Sequence, residues 1–314
     1  MPALNYAAQY SQALANAYPY VLNFGRLYAT PNNGRYRMGE DGKTIYIPRI
    51  KTSGRVDADR DTIAMAARNY DNSWEVKTLS HQRKWSTLVH PKDIDQTNHV
   101  ASIQNITKTF NESQKFPEMD AYLISRLYSL WSSTDSTDSE KTAMTPNTTA
   151  ITAANILDIF DELMLAMDNA LVPPNGRILY VTYEVQKIIN KASAVVRNRN
   201  VTGGRSSLNN IVDRLDEVEI IGVPATLMKT AYTFTAGWAP ATGAGQIDMF
   251  LVHPDAVITP VSYEFVKLDP PSAVTEGKYI YFEESYEDVF ILNKKQGALQ
   301  FHVTAAASGN GGNG

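Results

Sequence analysis

The first 90 residues of this chain carry turn and strand signals but almost nothing from which to build a core, and that constrains everything after them. Residues 1–35 are rich in Ala, Asn and Tyr, contain Pro19 and Pro31, and end in the turn-prone Pro31-Asn32-Asn33-Gly34. A short helix over Tyr6–Asn16 would have no apolar partner nearby, so this stretch reads as an arm that needs another surface to order it.

Asp41-Gly42 is a turn signal, and Thr44–Ile50 reads as a strand whose Pro48 favours an edge position. A polar stretch from Lys51 to Lys77 follows, and Glu75–Val89 alternates well enough for a second strand. Together they read as a hairpin projecting from the body, and an isolated two-stranded ribbon is marginal in water.

From Asp95 the period becomes helical through Val100, Ile103, Ile106 and Phe110, with Asp95 or Thr97 as N-cap. Phe116-Pro117 should interrupt this helix, and a second helix runs on through Leu123, Leu127 and Trp131. Residues 132–150 are a Ser/Thr/Asp-rich flexible connection or surface loop. An α/β rhythm then sets in. A helix over Ala153–Leu171 has Ile156, Ile159, Phe160, Leu163, Met164 and Met167 on one face, and strand Arg177–Thr182 and helix Glu184–Lys191 follow. Residues 197–210 read as a loop, and Glu217–Ile221 and Ala225–Met228 as strands. The last third is mostly strand: Ile247–Val252, Ser262–Leu268, Lys278–Phe282, an acidic bend at Glu283–Asp288, and Val289–Leu292. A hairpin turn with Gly297 at positive φ leads into Ala298–Val303, and a Gly/Asn tail ends the chain.

Composition excludes more chemistry than it suggests. With no cysteine there are no disulfides, thiolate nucleophiles or cysteine-held metals. The five histidines stand at no metal-pairing spacing, the glycine pairs Gly203-Gly204 and Gly243/Gly245 lack the rest of any phosphate-binding motif, and there is no nucleophile elbow. Neither catalytic, cofactor nor metal residues are expected. No run is long enough to span a membrane, and the N-terminus has no basic start before an apolar stretch, so no secretory signal is expected. Two features point to contact surfaces instead. Tyrosine outnumbers phenylalanine 17 to 10, and amphipathic aromatics favour interfaces. Charge is also split, +4 over residues 1–60 and −3 over 261–314 despite a net −4 overall. That split suits a basic front of one copy meeting an acidic back of another. The residues singled out are Tyr6, Tyr10, Tyr18 and Tyr20 of the arm, Arg49, Lys51, Arg55 and Arg60 of the hairpin, and Glu283, Glu284, Glu287 and Asp288.

The order of parts is specific. Phe116-Pro117-Glu118-Met119-Asp120-Ala121-Tyr122, Gly176-Arg177-Ile178-Leu179-Tyr180-Val181-Thr182, Ile221-Gly222-Val223-Pro224-Ala225, Phe250-Leu251-Val252-His253-Pro254-Asp255-Ala256-Val257 and Asn293-Lys294-Lys295-Gln296-Gly297 follow one another along the chain. In this order they resemble the major capsid proteins of tailed bacteriophages, the Hong Kong 97-like fold. The resemblance implies an α+β chain with an N-terminal arm (1–35), an extended hairpin loop (36–92), a spine helix and first part of a peripheral domain (93–149), an axial domain (150–252), returning peripheral strands (253–306) and a disordered tail (307–314). It also implies self-assembly into hexamers and pentamers of an icosahedral shell around double-stranded DNA, without sequence-specific DNA binding. The partners it implies are further copies, portal and scaffolding proteins and a decoration protein, in the host cytoplasm during assembly and in the virion thereafter. Because the sequence opens at the arm, a separate scaffold or a segment removed earlier is expected. The founding member joins subunits through a loop lysine and a neighbour's asparagine, for which Lys51 or Lys77 with Asn293 would be the counterparts. An encapsulin-type compartment shares the fold and is the alternative; a monomeric α/β enzyme is the third reading.

Overall fold

The computed structural model describes residues 20–55, 70–96, 102–133, 143–192 and 214–304. The arm before residue 20, the loop over 197–210 and the tail therefore lie outside the described residues.

The extended ribbon is present but differs from the expected hairpin. Strands β2 (Thr44–Thr52) and β3 (Tyr70–Thr78) pair antiparallel from Thr44↔Thr78 to Thr52↔Tyr70, and β1 (Arg37–Met38) pairs only with Ile45 and Tyr46. Gly39 N donates to Thr44 O (2.7 Å), so Thr44 and, by period 2, Pro48 turn their backbone to the β1 side. No described strand reaches Pro48 there, and its missing N–H costs no ladder bond. The expected strand Glu75–Val89 is in fact two strands in two sheets. The chain breaks at Leu79-Ser80, where Leu79 is buried with Ile45, Ile47, Ile258 and Phe290, and β4 (His81–Val89) leaves to pair with β13 (Tyr279–Glu287). A short helix α1 (Gly25–Tyr28) precedes the ribbon.

Asp95 belongs to a separate helix α2 (Pro91–Gln96), and the N-cap of the long helix is Ser102, whose Oγ accepts from Asn105 N. Thr97 and Val100 lie outside the described residues. The helix is continuous from α3 (Ile103–Phe110) to α4 (Phe116–Ser132), and Pro117 does not end it. Asn111–Lys115 widens into a π turn instead. A proline lacks its N–H and crowds the carbonyl four residues back, here Ser113, and the wider turn accommodates it.

A five-stranded sheet in the order β15-β10-β5-β7-β6 forms the centre. Its strands are β5 (Ile178–Thr182), β6 (Arg214–Leu215), β7 (Val218–Val223), β10 (Gln246–Val252) and β15 (Leu299–Thr304), with only β5 and β7 parallel. β5 is buried throughout, and its alternation serves two cores. Ile178 and Tyr180 join Leu123, Leu127, Trp131, Phe250 and Phe301 under the long helix. Leu179 and Val181 join Ile159, Phe160, Leu163 and Met167 of α5 (Ile156–Asn169) and Val185 of α6 (Tyr183–Lys191).

Four further expectations are corrected. Residues 225–227 form a 3₁₀ turn after Pro224 and not a strand. Residues 134–142 of the connection read as flexible or as a surface loop lie outside the described residues, but Asn147 near its end is not free to flex: its N donates to Phe301 O (3.0 Å) and its O accepts from Val303 N (2.9 Å) of β15. The acidic bend is mostly strand, since β13 (Tyr279–Glu287) pairs along its length with β12 (Val261–Asp269) on one side and β4 on the other. The segment Lys294–Gly297 joins two sheets and is no hairpin: Phe290–Ile291 pairs with Val257–Ile258, whereas β15 lies beside β10. Positive φ there belongs to Lys294 (66°). Gly297 is required by space, because a Cβ on it would stand 2.5 Å from Ala170 Cβ.

Candidate subunit-interface surfaces

The root of the arm is clamped to the long helix. Asp120 is fully buried, and its Oδ2 accepts from the Tyr20 hydroxyl (2.6 Å), Asn23 N (2.8 Å) and Asn23 Nδ2 (3.0 Å), while Oδ1 accepts from Phe24 N (3.3 Å). Burial pushes the Asp120 carboxyl up and these four donors pull it down. Phe24 fills the space against Tyr180, with ring centroids 4.8 Å apart. Tyr20 therefore contacts its own chain. Tyr6, Tyr10, Tyr18 and Arg60 lie outside the described residues.

The β2–β3 ribbon has two unlike faces. One carries Ile45, Ile47, Arg49 and Lys51 opposite Lys77, Glu75, Ser73 and Asp71. It is buried at the base by the two isoleucines; Arg49 is half-buried, and Lys51 and Arg55 are exposed towards the tip. The other face is mostly apolar: Tyr46, Pro48 and Ile50 stand opposite Val76, Trp74 and Asn72, and Thr52 stands opposite Tyr70. Ile50 is 72 % exposed, Trp74 and Val76 55 % and Tyr70 56 %. A contiguous apolar row of this kind on a projecting ribbon marks a contact surface. The sequence reading named the ribbon's cations and missed this row. Its signal, alternation on both sides of residues 53–69, becomes readable only once the pairing register is known.

The acidic end is corrected in part. Asp288 is buried and accepts from Ser80 N (2.8 Å), Ser80 Oγ (2.9 Å), Tyr122 Oη (2.8 Å), Arg126 Nε (3.2 Å) and Val289 N (2.7 Å). Glu283 is buried with Lys115 (3.4 Å) and the Tyr281 hydroxyl (2.8 Å). These two carboxylates are spent inside the chain, because β13 runs under the long helix and does not bend away from it. Glu284 accepts from Gln82 Nε2. Glu287 is half-buried and pushed up to about 7, first by burial and then by the charges of Glu118 and Glu264, against the pull of Lys115 and Arg83.

Lys77 Nζ donates to Asn293 Oδ1 at 3.3 Å within one chain. His302, fully buried, has Nε2 2.7 Å from Thr149 O and Nδ1 3.2 Å from Asp248 Oδ2, a tie that holds the 147–149 segment to the sheet. Among the described residues no group of three or more His, Asp or Glu is arranged to hold a metal, and no helix is long and apolar enough to cross a membrane.

No family model matches the sequence. No curated protein matches it either. Solved structures do match in shape. Over 86 % of this chain and 84 % of the other, the fold superposes on the mature capsid of bacteriophage PhiM1 with a TM-score of 0.63 at 13 % identity. The capsid of cyanophage P-SCSP1u gives 0.61 at 12 % identity, covering 93 % and 90 %. The capsid of Ralstonia phage GP4 gives 0.53 at 10 % identity, covering 95 % and 94 %. The chain has the fold of these phage capsid subunits, the Hong Kong 97-like architecture that the order of its sequence motifs implied.

Proposed function

We propose that this chain is the structural major capsid protein of a tailed double-stranded DNA phage, assembling with copies of itself into hexamers and pentamers of an icosahedral shell. The observation that carries the reading is the ribbon: along its nine residue pairs Ile50, Tyr70, Trp74 and Val76 remain more than half exposed among the described residues. Exposed apolar surface of this extent is stabilised by burial against another copy. The capsid structures of similar fold add weight to a shell over an enzyme. In this reading residues 93–149 and 253–306 form the peripheral part and 150–252 the axial part. Portal, scaffolding and decoration proteins are further partners, and the packaged DNA is contents without sequence-specific contact. The site of action is the virion, after assembly in the host cytoplasm.

Electron microscopy of the purified full-length chain tests the proposal, alongside the double variant Ile50→Ser/Trp74→Ser. Closed shells from the wild type, and folded but unassembled subunits from the variant, are expected. A wild-type chain that stays monomeric at micromolar concentration with the ribbon resistant to protease would refute it. Nucleic-acid content separates a genome container from an encapsulin-type compartment.

A further inference from the structure

Between the long helix and the β12-β13-β4 sheet lies a cavity of about 270 Å³. The registers set its floor in rows: Glu264, Ser285 and Arg83 in one, Val266, Glu283 and Trp85 in the next, and Glu287 beside His81 in a third. Trp85 is held in place by Phe110, stacked at 3.9 Å between centroids with the planes 7° apart.

The charges in this cavity do not balance: Arg83, Lys84 and Lys115 line it against Glu118, Glu264, Glu283, Glu284 and Glu287. Arg83 is committed to Glu118 through two contacts, Nε–Oε1 at 2.5 Å and Nη2–Oε2 at 3.0 Å. Lys115 is committed to Glu283. Glu287 has no described donor within hydrogen-bond or ion-pair distance, although it lines the cavity and is half-buried. Glu264 stands close enough to repel it. An unpaired carboxylate in such a place costs free energy unless a cation or a proton neutralises it.

The geometry points to this cavity as a receptor for one organic cation, a primary ammonium or guanidinium group held between Glu287 and Glu264 with its alkyl stem along Trp85 and Val266. Such a group supplies the missing donor and buries its methylenes on the apolar wall. A free di- or polyamine and a Lys or Arg side chain of a second copy both carry this chemistry. The site does not depend on the shell reading, because all its parts belong to one chain.

Calorimetric titration of the unassembled full-length chain with putrescine tests it. Facing Glu287 are Lys115 and Glu118 from the helix, Arg83 and His81 from β4, Glu264 from β12 and Tyr28 from α1, whose hydroxyl is pushed well up, first by burial and then by the Glu287 charge, and stays protonated. Burial, first, and the Arg83 charge hold the His81 ring near a pKa of about 4, so it stays neutral between pH 6 and 8. Glu287 ionises across that window, so affinity should rise roughly tenfold from pH 6 to pH 8, with a proton released on binding at pH 6. Glu287→Gln should weaken binding at least tenfold and abolish the pH dependence, and Glu264→Gln should weaken it. Glu276→Gln, an exposed acid remote from the cavity, should change nothing. The absence of binding by the wild type, or equal affinity in the Glu287 and Glu264 variants, overturns the proposal. Assembled particles distinguish the sources: uptake of putrescine equal to that of the free subunit identifies a soluble amine, and blocked uptake identifies a neighbour's basic side chain. Should no particles form, only this last comparison is lost and the shell reading fails separately.

Discussion

Asp120 is the residue on which the arm's attachment turns. Three donors converge on its Oδ2 and one on its Oδ1, so the two replacements Asp120→Ala and Asp120→Asn remove different amounts. In Asp120→Ala every donor loses its acceptor. Phe24 N is buried and cannot turn to water, whereas Tyr20 and Asn23 are partly exposed and recover some hydration. One orphaned buried donor costs about 1–3 kcal/mol, and bonds to a charged acceptor are worth about 1.5–3 kcal/mol each before desolvation of the carboxylate is recovered. The net loss should be about 3 kcal/mol, a fall in Tm of about 6 °C at ~2 °C per kcal/mol for a chain of this size. In Asp120→Asn the amide oxygen takes the Oδ2 position, where three donors wait, and the NH₂ group is left facing Phe24 N–H. The loss there should be about 1–2 kcal/mol. Thermal melting by circular dichroism reads both variants. Trypsin cleavage at Arg26, paired with Glu219 on β7, reports whether the arm root has lifted. A melting temperature unchanged in Asp120→Ala, with Arg26 still protected, would refute the clamp.

Three further outcomes follow from the packing. Glu287 titrates near 7 in the folded chain against an ordinary 4.5, so its stabilising contribution is complete below about pH 4.5 and is lost as pH rises through 7. Glu287→Gln should nearly match the wild type at pH 4 and exceed it by about 1–3 kcal/mol at pH 8, as read by urea unfolding at both pH values. Asp288→Asn takes a charge from a buried hub and leaves the Arg126 guanidinium without its carboxylate; a loss of about 3 kcal/mol in the same assay is expected. Gly297→Ala forces a methyl group into contact with Ala170 and should cost about 1–3 kcal/mol, relieved by the double change with Ala170→Gly.

Much of the local structure is readable from side-chain period. The apolar face Ile156, Ile159, Phe160, Leu163, Met167 is buried along α5 as its spacing demands, and the run Ile178–Thr182 is buried on both faces as a central strand must be. The misreadings share one cause. Whether Glu75–Val89 is one strand or two depends on Leu79 finding the Ile258–Phe290 pocket more than 170 residues away, which no local pattern encodes. Lys294 and Gly297 exchanged roles because the constraint on Gly297 is Ala170, far off in sequence, and not its own φ.

By itself the sequence determined that residues 1–90 lack a core, that an α/β body follows, and that no cysteine or catalytic motif is available; these are properties of composition and short-range period. Only the tertiary structure decided which charges are free. Four acids adjacent in sequence, Glu283, Glu284, Glu287 and Asp288, divide between an internal hub, a helix ion pair, an outward contact and an unpaired cavity wall. Period 2 sends neighbouring side chains to opposite faces of β13, and burial under the long helix then sets the dielectric and the partners of each.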